Sequence, residues 1–346
     1  MSQGIMNRKL FCWSCLSQVT GLRKGQARFF NNSGACKRAW VPKFKPTSSQ
    51  SLDELLTIFR EHVFVPASLK PHQRRLIFNE EATNLLHQNP ITVTLHSNTG
   101  ESYSLRPVKF NERPSNKVVE DIINLMREPK DWYSLVPLLK GLHSSKRTPN
   151  IRLWEFIVRK AGEAGMNSVI IDCAEEGRRT GFSLGDYLLA ELFFSNLRLK
   201  AESAGFKGPE LEKALRQAKH VAMLMSAEEH VPVDKTKPDP RQHPNIIAVL
   251  LELSAARVLD AFEGKDVQGD VRSYARKLLG TWVLREKFDT IKYPKKVVRH
   301  VTDLPSVRNG IELALQVEEI KKDEKLSEAL RERLNELDTH VKEAEA

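Results

Sequence analysis

Residues 153–165 read Leu-Trp-Glu-Phe-Ile-Val-Arg-Lys-Ala-Gly-Glu-Ala-Gly, and residues 117–126 read Lys-Val-Val-Glu-Asp-Ile-Ile-Asn-Leu-Met. Moved forward by 35 residues, Val118 falls on Leu153, Val119 on Trp154, Ile122 on Ile157, Ile123 on Val158 and Met126 on Ala161. Within each set the spacing is that of one face of an α-helix. The following helix obeys the same shift: Leu135 meets Ile170, Leu138 meets Cys173, Leu139 meets Ala174 and Leu142 meets Gly177. Pro129 or Gly165 falls near the turn inside each pair, and Thr148-Pro149-Asn150 or Gly181 closes it. A fixed period in the thirties, built of paired helices, is the mark of an α-solenoid, whose units bury their apolar faces only by stacking on neighbours.

The run from Leu153 to Ile157 through Ala161 to Gly165, then Ile170 to Ala174 and Gly177 to Gly181, resembles a pentatricopeptide repeat. That family has an aromatic residue and an aliphatic pair in the first helix, Gly at the turn, Ala in the second helix and Gly near the end. Val119 to Asn150 resembles it more weakly, with Pro149-Asn150 in the closing place, so the likeness covers about 67 of 346 residues. Tetratricopeptide-like repeats and other arrays of helical hairpins share these features. The resemblance implies a mitochondrial α-solenoid associated with RNA. Members that read RNA base by base usually carry Asn, Ser or Thr just after the aromatic position, where a short polar side chain addresses a base edge. Here those places hold Glu120 and Glu155, whose carboxylates repel phosphate, so base-by-base reading is not expected.

Outward from the repeats, Leu52, Leu55, Leu56 and Phe59 predict a short helix after Ser51. A second is predicted from His72 to His87, with Leu76, Ile77, Leu85 and Leu86 as its buried side. Ile91–Leu95 and Tyr103–Leu105 alternate across a Gly-containing turn and predict a small β-hairpin, which needs neighbouring helices to be stable. Past Gly181 the 35-residue register is expected to stop, with Leu188, Leu192 and Leu199 forming the core face of a longer helix, Tyr187 to Ala204. A helix from Glu210 to Glu229 follows, with Leu211, Ala214, Leu215, Ala218, Met223 and Leu224 apolar, and then a hairpin of Asn245–Phe262 and Val271–Leu284. Ile311 to Val341 reads as one long amphipathic helix whose Leu330, Leu334, Leu337 and Val341 are spaced 4, 3, 4, a seam suited to a partner. The expected fold is therefore mainly all-α, a pentatricopeptide- or tetratricopeptide-like solenoid with an N-terminal β-hairpin and a long C-terminal helix. Its divisions are a leader at 1–45, helices and hairpin at 46–116, the repeat domain at 117–285, and a basic linker with the last helix at 286–346.

Charge locates the protein. The net +10 comes from 54 basic and 44 acidic residues, but residues 1–52 hold nine Lys or Arg and no Asp or Glu, which leaves the remainder close to neutral. A basic, acid-free leader with Ser, Gln and aromatic residues has the composition of a mitochondrial transit peptide, and Arg28 before Phe29-Phe30 resembles a matrix-processing site. A secretory signal fits less well, because Arg23, Lys24 and Arg28 follow the apolar run Leu10–Leu22; a retained basic arm touching nucleic acid is the stronger rival. No apolar run reaches the roughly 18 residues needed to span a bilayer. Cys12 and Cys15 form a C-x-x-C pair inside the leader without a second pair, and Cys173 lies on an apolar helix side, so neither zinc nor a disulfide framework is expected.

Phosphate-cradling, nucleophile-elbow and metalloprotease signatures are missing, so no enzyme, cofactor, metal site or small-molecule substrate is expected. The loop residues His230, Asp234, Asp239, Arg241 and His243 match no ligand spacing and, between Pro238 and Pro244, read as a rigid turn. The nucleic-acid hint is basic: Lys292, Lys295, Lys296 and Arg299 surround Tyr293, joining phosphate-binding charge to a stacking ring. Arg74-Arg75 make a smaller cluster, and Lys146-Arg147 and Arg178-Arg179 lie near successive repeat ends, where a solenoid aligns them on one edge. The function expected is non-enzymatic binding in mitochondrial gene expression, as a matrix protein of the mitochondrial ribosome or an RNA-associated factor. The alternative is a protein-only scaffold or assembly factor for an inner-membrane respiratory complex.

Overall fold

The computed structural model describes residues 39–95, 100–232, 239–282 and 305–345. They fall in the compact unit Arg38–Ala346. The leader through residue 38 and the cluster from Lys292 to Arg299 lie outside the described residues.

Gln50–Phe59 (α1) buries Leu52, Leu56 and Phe59, as their spacing predicts. A π-turn, Arg60–Phe64, and Val65–Ser68 (α2) prolong it. Arg74 then donates to the carbonyls of Pro66, Ala67 and Leu69 at 3.0, 3.1 and 3.4 Å, occupying acceptors that a helix end leaves free. The single helix predicted from His72 to His87 is two, Pro71–Phe78 (α3) and Ala82–Gln88 (α4). Asn79 breaks it by accepting the Glu81 amide at 3.1 Å, an Asx-type competition with the helix ladder. Thr92–Thr94 (β1) pairs antiparallel with Ser102–Ser104 (β2), Val93 facing Tyr103. Val93, Leu95 and Leu105 turn inward while Thr92, Thr94, Ser102 and Ser104 face out, so the hairpin rests on helices, as its size requires.

Lys117–Leu125 (α5), the single turn Pro129–Trp132 (α6) and Leu135–Ser144 (α7) make the first hairpin unit. Ile151–Glu163 (α8), Asn167–Glu175 (α9) and the turn Gly177–Thr180 (α10) make the second. Every position paired by the 35-residue shift is buried except Val118, which is half-buried against the core. Cys173 packs there as a small apolar group, its thiol pushed up by burial.

The register does not stop at Gly181. Tyr187–Ser203 (α11) buries Leu189, Ala190, Phe193, Phe194 and Leu197, which are Leu153, Trp154, Ile157, Val158 and Ala161 moved forward by 36 residues. The predicted core face was the wrong one: Leu188 and Leu192 are half-buried, and Leu199 is 51% exposed. Leucines line two sides of α11, so periodicity alone did not choose between them. Gly208–Leu224 (α12) buries Leu211, Ala214, Leu215, Ala218 and Val221, whereas Met223, expected inside, is 67% exposed.

Pro244–Ala261 (α13) is apolar nearly all round, the pattern of a helix buried on every side. Ile246, Val249, Leu250, Leu253 and Ala256 belong to the main core. Ile247, Ala248, Leu251, Ala255 and Val258 belong to a second core, shared with Asp270–Thr281 (α14), Pro305–Ala314 (α15), Glu318–Lys322 (α16) and Glu324–Glu345 (α17). The one long helix expected from Ile311 to Val341 is thus three. Asp323 ends α16 and starts α17: it accepts the Leu326 amide at 3.4 Å and the guanidinium groups of Arg272 and Arg276 at 3.0 and 3.1 Å. Leu330 and Leu337 are buried in this second core and Leu334 packs against it. The seam expected to bind a partner therefore closes the chain on itself; the side chain of Val341 lies outside the described residues. Between the two cores, Glu252 of α13 is fully buried and takes two hydrogen bonds from Arg198 of α11, at 2.7 and 3.1 Å.

Candidate binding surface

Among the basic residues singled out in the repeats, only Lys146 is exposed without a salt bridge among the described residues. Arg147 is half-buried and its Nη2 donates to the Pro114 carbonyl at 2.8 Å. Burial and, after it, neighbouring Arg113 push its pKa down, so this guanidinium braces the connection before α5. Arg178 is held by Glu228 at 2.7 Å and Glu229 at 3.4 Å, and Arg179 by Glu176 at 3.1 Å. Those carboxylates leave the two arginines with little net charge to offer a phosphate. Arg74 is spent on the end of α2, as described.

The His and Asp residues of the loop before α13 are structural wherever they are described; Asp234 lies outside the described residues. His230 is buried, with Nε2 at 3.0 Å from the Ala174 carbonyl and Nδ1 accepting the Leu184 amide at 3.3 Å. Burial holds its pKa below the usual range. His243 stacks on Tyr187 with ring centroids 5.8 Å apart and caps α13 by accepting the Asn245 amide at 3.3 Å; burial pushes its pKa down to about 3. Asp239 accepts from Arg241 and from its amide at 2.9 Å, a closed local turn. No group of three or more His, Cys, Asp or Glu suited to a metal ion occurs among the described residues.

A different surface emerges on the first helices of successive units. Glu155 of α8 is half-buried, and its carboxyl is raised first by burial and then by Asp186 at the start of α11. Below it, a groove of about 550 Å³ runs between α8 and α11, lined by Arg159, Gly162, Leu192, Ser195, Asn196 and Leu199 among others. The floor is close-packed: Asn196 donates to the Val158 carbonyl at 3.0 Å, and a Cβ on Gly162 would lie 2.4 Å from the Asn196 side-chain carbonyl carbon. The leucines had been assigned to the core from sequence, so this groove was missed; its signal was the excess of leucine on both sides of α11.

A sequence profile described as mitochondrial ribosomal protein mS27 matches residues 28–346. The chain belongs to the mS27 family. A Neurospora crassa protein named small ribosomal subunit protein mS27 is 30% identical over 224 residues, covering 62% of this chain and 56% of that protein. The matched stretch is thus little more than half the length of that curated relative. The mS27 match takes in every described element, both cores included. It agrees with the mitochondrial gene-expression class expected from the leader and the helical pairs, and the mS27 description names a ribosomal protein and no reaction. No helix among the described residues is long and apolar enough to cross a membrane.

Proposed function

We propose that this chain is a protein component of the small subunit of the mitochondrial ribosome, acting in the matrix by binding alone. The family match over residues 28–346 carries the reading, and the name of the Neurospora crassa relative supplies the subunit. Helical hairpins of the pentatricopeptide-like solenoid class supply the binding surface, with residues 117–285 as its repeat part. In support, three successive first helices bury equivalent positions at shifts of 35 and 36 residues. Within the same reading, residues 1–45 act as the import leader and 46–116 as an N-terminal cap. In 286–346, Lys292, Tyr293, Lys295, Lys296 and Arg299 supply phosphate contacts to RNA, joined by Lys146. No observation favours a respiratory-complex scaffold over this.

Sedimentation of a mitochondrial extract tests the proposal. The chain is expected to migrate with the small subunit and to shift when nuclease dismantles that particle. Migration with respiratory-complex intermediates, unchanged by nuclease, would overturn it.

A further inference from the structure

We propose that the groove between α8 and α11 is the docking site for an amphipathic helix of another protein, basic at the end that meets Glu155. The chain leaves this stripe uncovered: Leu188 and Leu192 are half-buried and Leu199 is 51% exposed, all on one side of α11. From Leu188 to Leu199 the stripe runs for roughly 16 Å at about 1.5 Å per residue, long enough for three turns of an occupant. Gly162 and Gly165 lie on the facing side of the same 550 Å³ groove. Without side chains there, an incoming helix approaches to the roughly 8–10 Å at which helices interlock. Helices wall the groove throughout and no free strand edge borders it, which selects helix-in-groove recognition over strand addition.

Charge defines the occupant further. Glu155 and Asp186 stand close enough for Asp186 to raise the Glu155 carboxyl, second only to burial, and neither takes part in a salt bridge among the described residues. Asp186 is itself committed to the start of α11, accepting the Leu188 and Leu189 amides at 3.1 and 3.4 Å. Repulsion between two carboxylates at the head of an apolar groove is relieved by a Lys or Arg from the partner. Farther along, Arg159 and Lys200 already have Glu163 and Glu210 within 4.0 Å, so the unbalanced charge is at the head. An RNA strand is disfavoured, because phosphate would meet the same carboxylates and leucines offer no aromatic stacking platform.

The inference takes the ribosomal reading only as the choice of particle in which to look. A photo-reactive amino acid placed at Leu199 of the full chain, in assembled small subunits, reads the neighbour directly. Cross-links are expected to survive nuclease and to map to one helical segment of another protein, with leucine-like residues on one face and Lys or Arg at one end. Glu155→Lys is expected to lower their yield about tenfold or more while thermal melting of the chain stays unchanged. Several results would overturn the assignment: cross-links to RNA, none from chains that sediment with the subunit, a segment lacking basic residues, or a yield indifferent to Glu155→Lys. Failure of the ribosomal reading shows separately, as a chain that sediments away from the subunit. The cross-link map from whatever particle it then occupies decides the groove by the same criteria.

Discussion

Lys146 and Gly181, 35 residues apart, both have left-handed backbones, with φ of 60° and 76°, and they close successive hairpin units at the same place. Around Lys146 the Arg147 amide reaches the Leu142 carbonyl at 2.8 Å and the Lys146 amide reaches that of His143 at 3.0 Å, the paired bonds of a Schellman end. Glycine adopts this conformation freely, whereas an L-residue is strained by about 1–2 kcal/mol.

Lys146→Gly is therefore expected to stabilise the chain by about 0.5–1 kcal/mol, part of the relieved strain being offset by a freer unfolded state. Gly181→Ala is expected to cost about 2 kcal/mol or more by the same strain and by overpacking. Its Cβ would lie 2.6 Å from His143 Nδ1 and 2.7 Å from Thr148 Cγ2. Urea unfolding of both variants checks the pair; a destabilising Lys146→Gly would contradict the shared closing geometry.

Asp131 fastens the N-terminal segment to the first repeat unit. Its carboxylate accepts the Ser48 hydroxyl at 2.6 Å and the amides of Ser48, Glu128 and Arg127 at 2.8, 3.0 and 3.2 Å. Burial alone would raise its pKa, but these hydrogen bonds outweigh it and hold the group below 3.8. Its stabilisation is thus complete above the ordinary carboxylate range and is lost as pH falls through the lower folded-state value. Asp131→Ala strands several donors and is expected to cost about 2–4 kcal/mol at neutral pH, measured as a lower denaturation midpoint. A loss confined to a few tenths would exclude Asp131 as the anchor.

Glu252 titrates in the opposite sense. Burial pushes its carboxyl from 4.5 up to about 7, against the pull of Arg198 and a hydrogen bond from Asn309, with Glu202 adding a raise. A folded-state value above the unfolded one means that this group favours folding on the acid side. That contribution fades as pH rises from 4.5 through about 7. Chemical denaturation across that window is expected to show a shallower decline for Glu252→Gln than for the parent chain. Identical slopes would mean that Glu252 does not govern the junction of the two cores.

Leu330→Ala distinguishes an internal seam from a partner-binding one. Full burial in the second core leads to an expected loss of about 2–5 kcal/mol from the cavity left behind. Leu334→Ala, at a half-buried position, is expected to cost less. If Leu330→Ala left the melting transition unmoved, α17 would instead be held by something outside the chain.

Periodicity located the paired helices, because each of them has one apolar side and one polar side. It failed at α11, where Leu188, Leu192 and Leu199 compete with Leu189, Phe193 and Phe194, and only the stack of neighbours decides. It also ran α15, α16 and α17 together: the Asp323 cap that separates the last two depends on Arg272 and Arg276, some 50 residues away. Basic residues were visible as charge but not as function, since the carbonyl that claims Arg147 and the glutamates that claim Arg178 and Arg179 are supplied by folding. The docking groove was hidden for the reverse reason: its leucines read as core.

The central claim, membership of a working small ribosomal subunit, is tested most directly by purifying the chain through a tag from mitochondria and quantifying small-subunit ribosomal RNA against it. The account expects that RNA in stoichiometric amount with the chain. A chain recovered free of it, or in equal yield from mitochondria lacking assembled small subunits, would contradict the account.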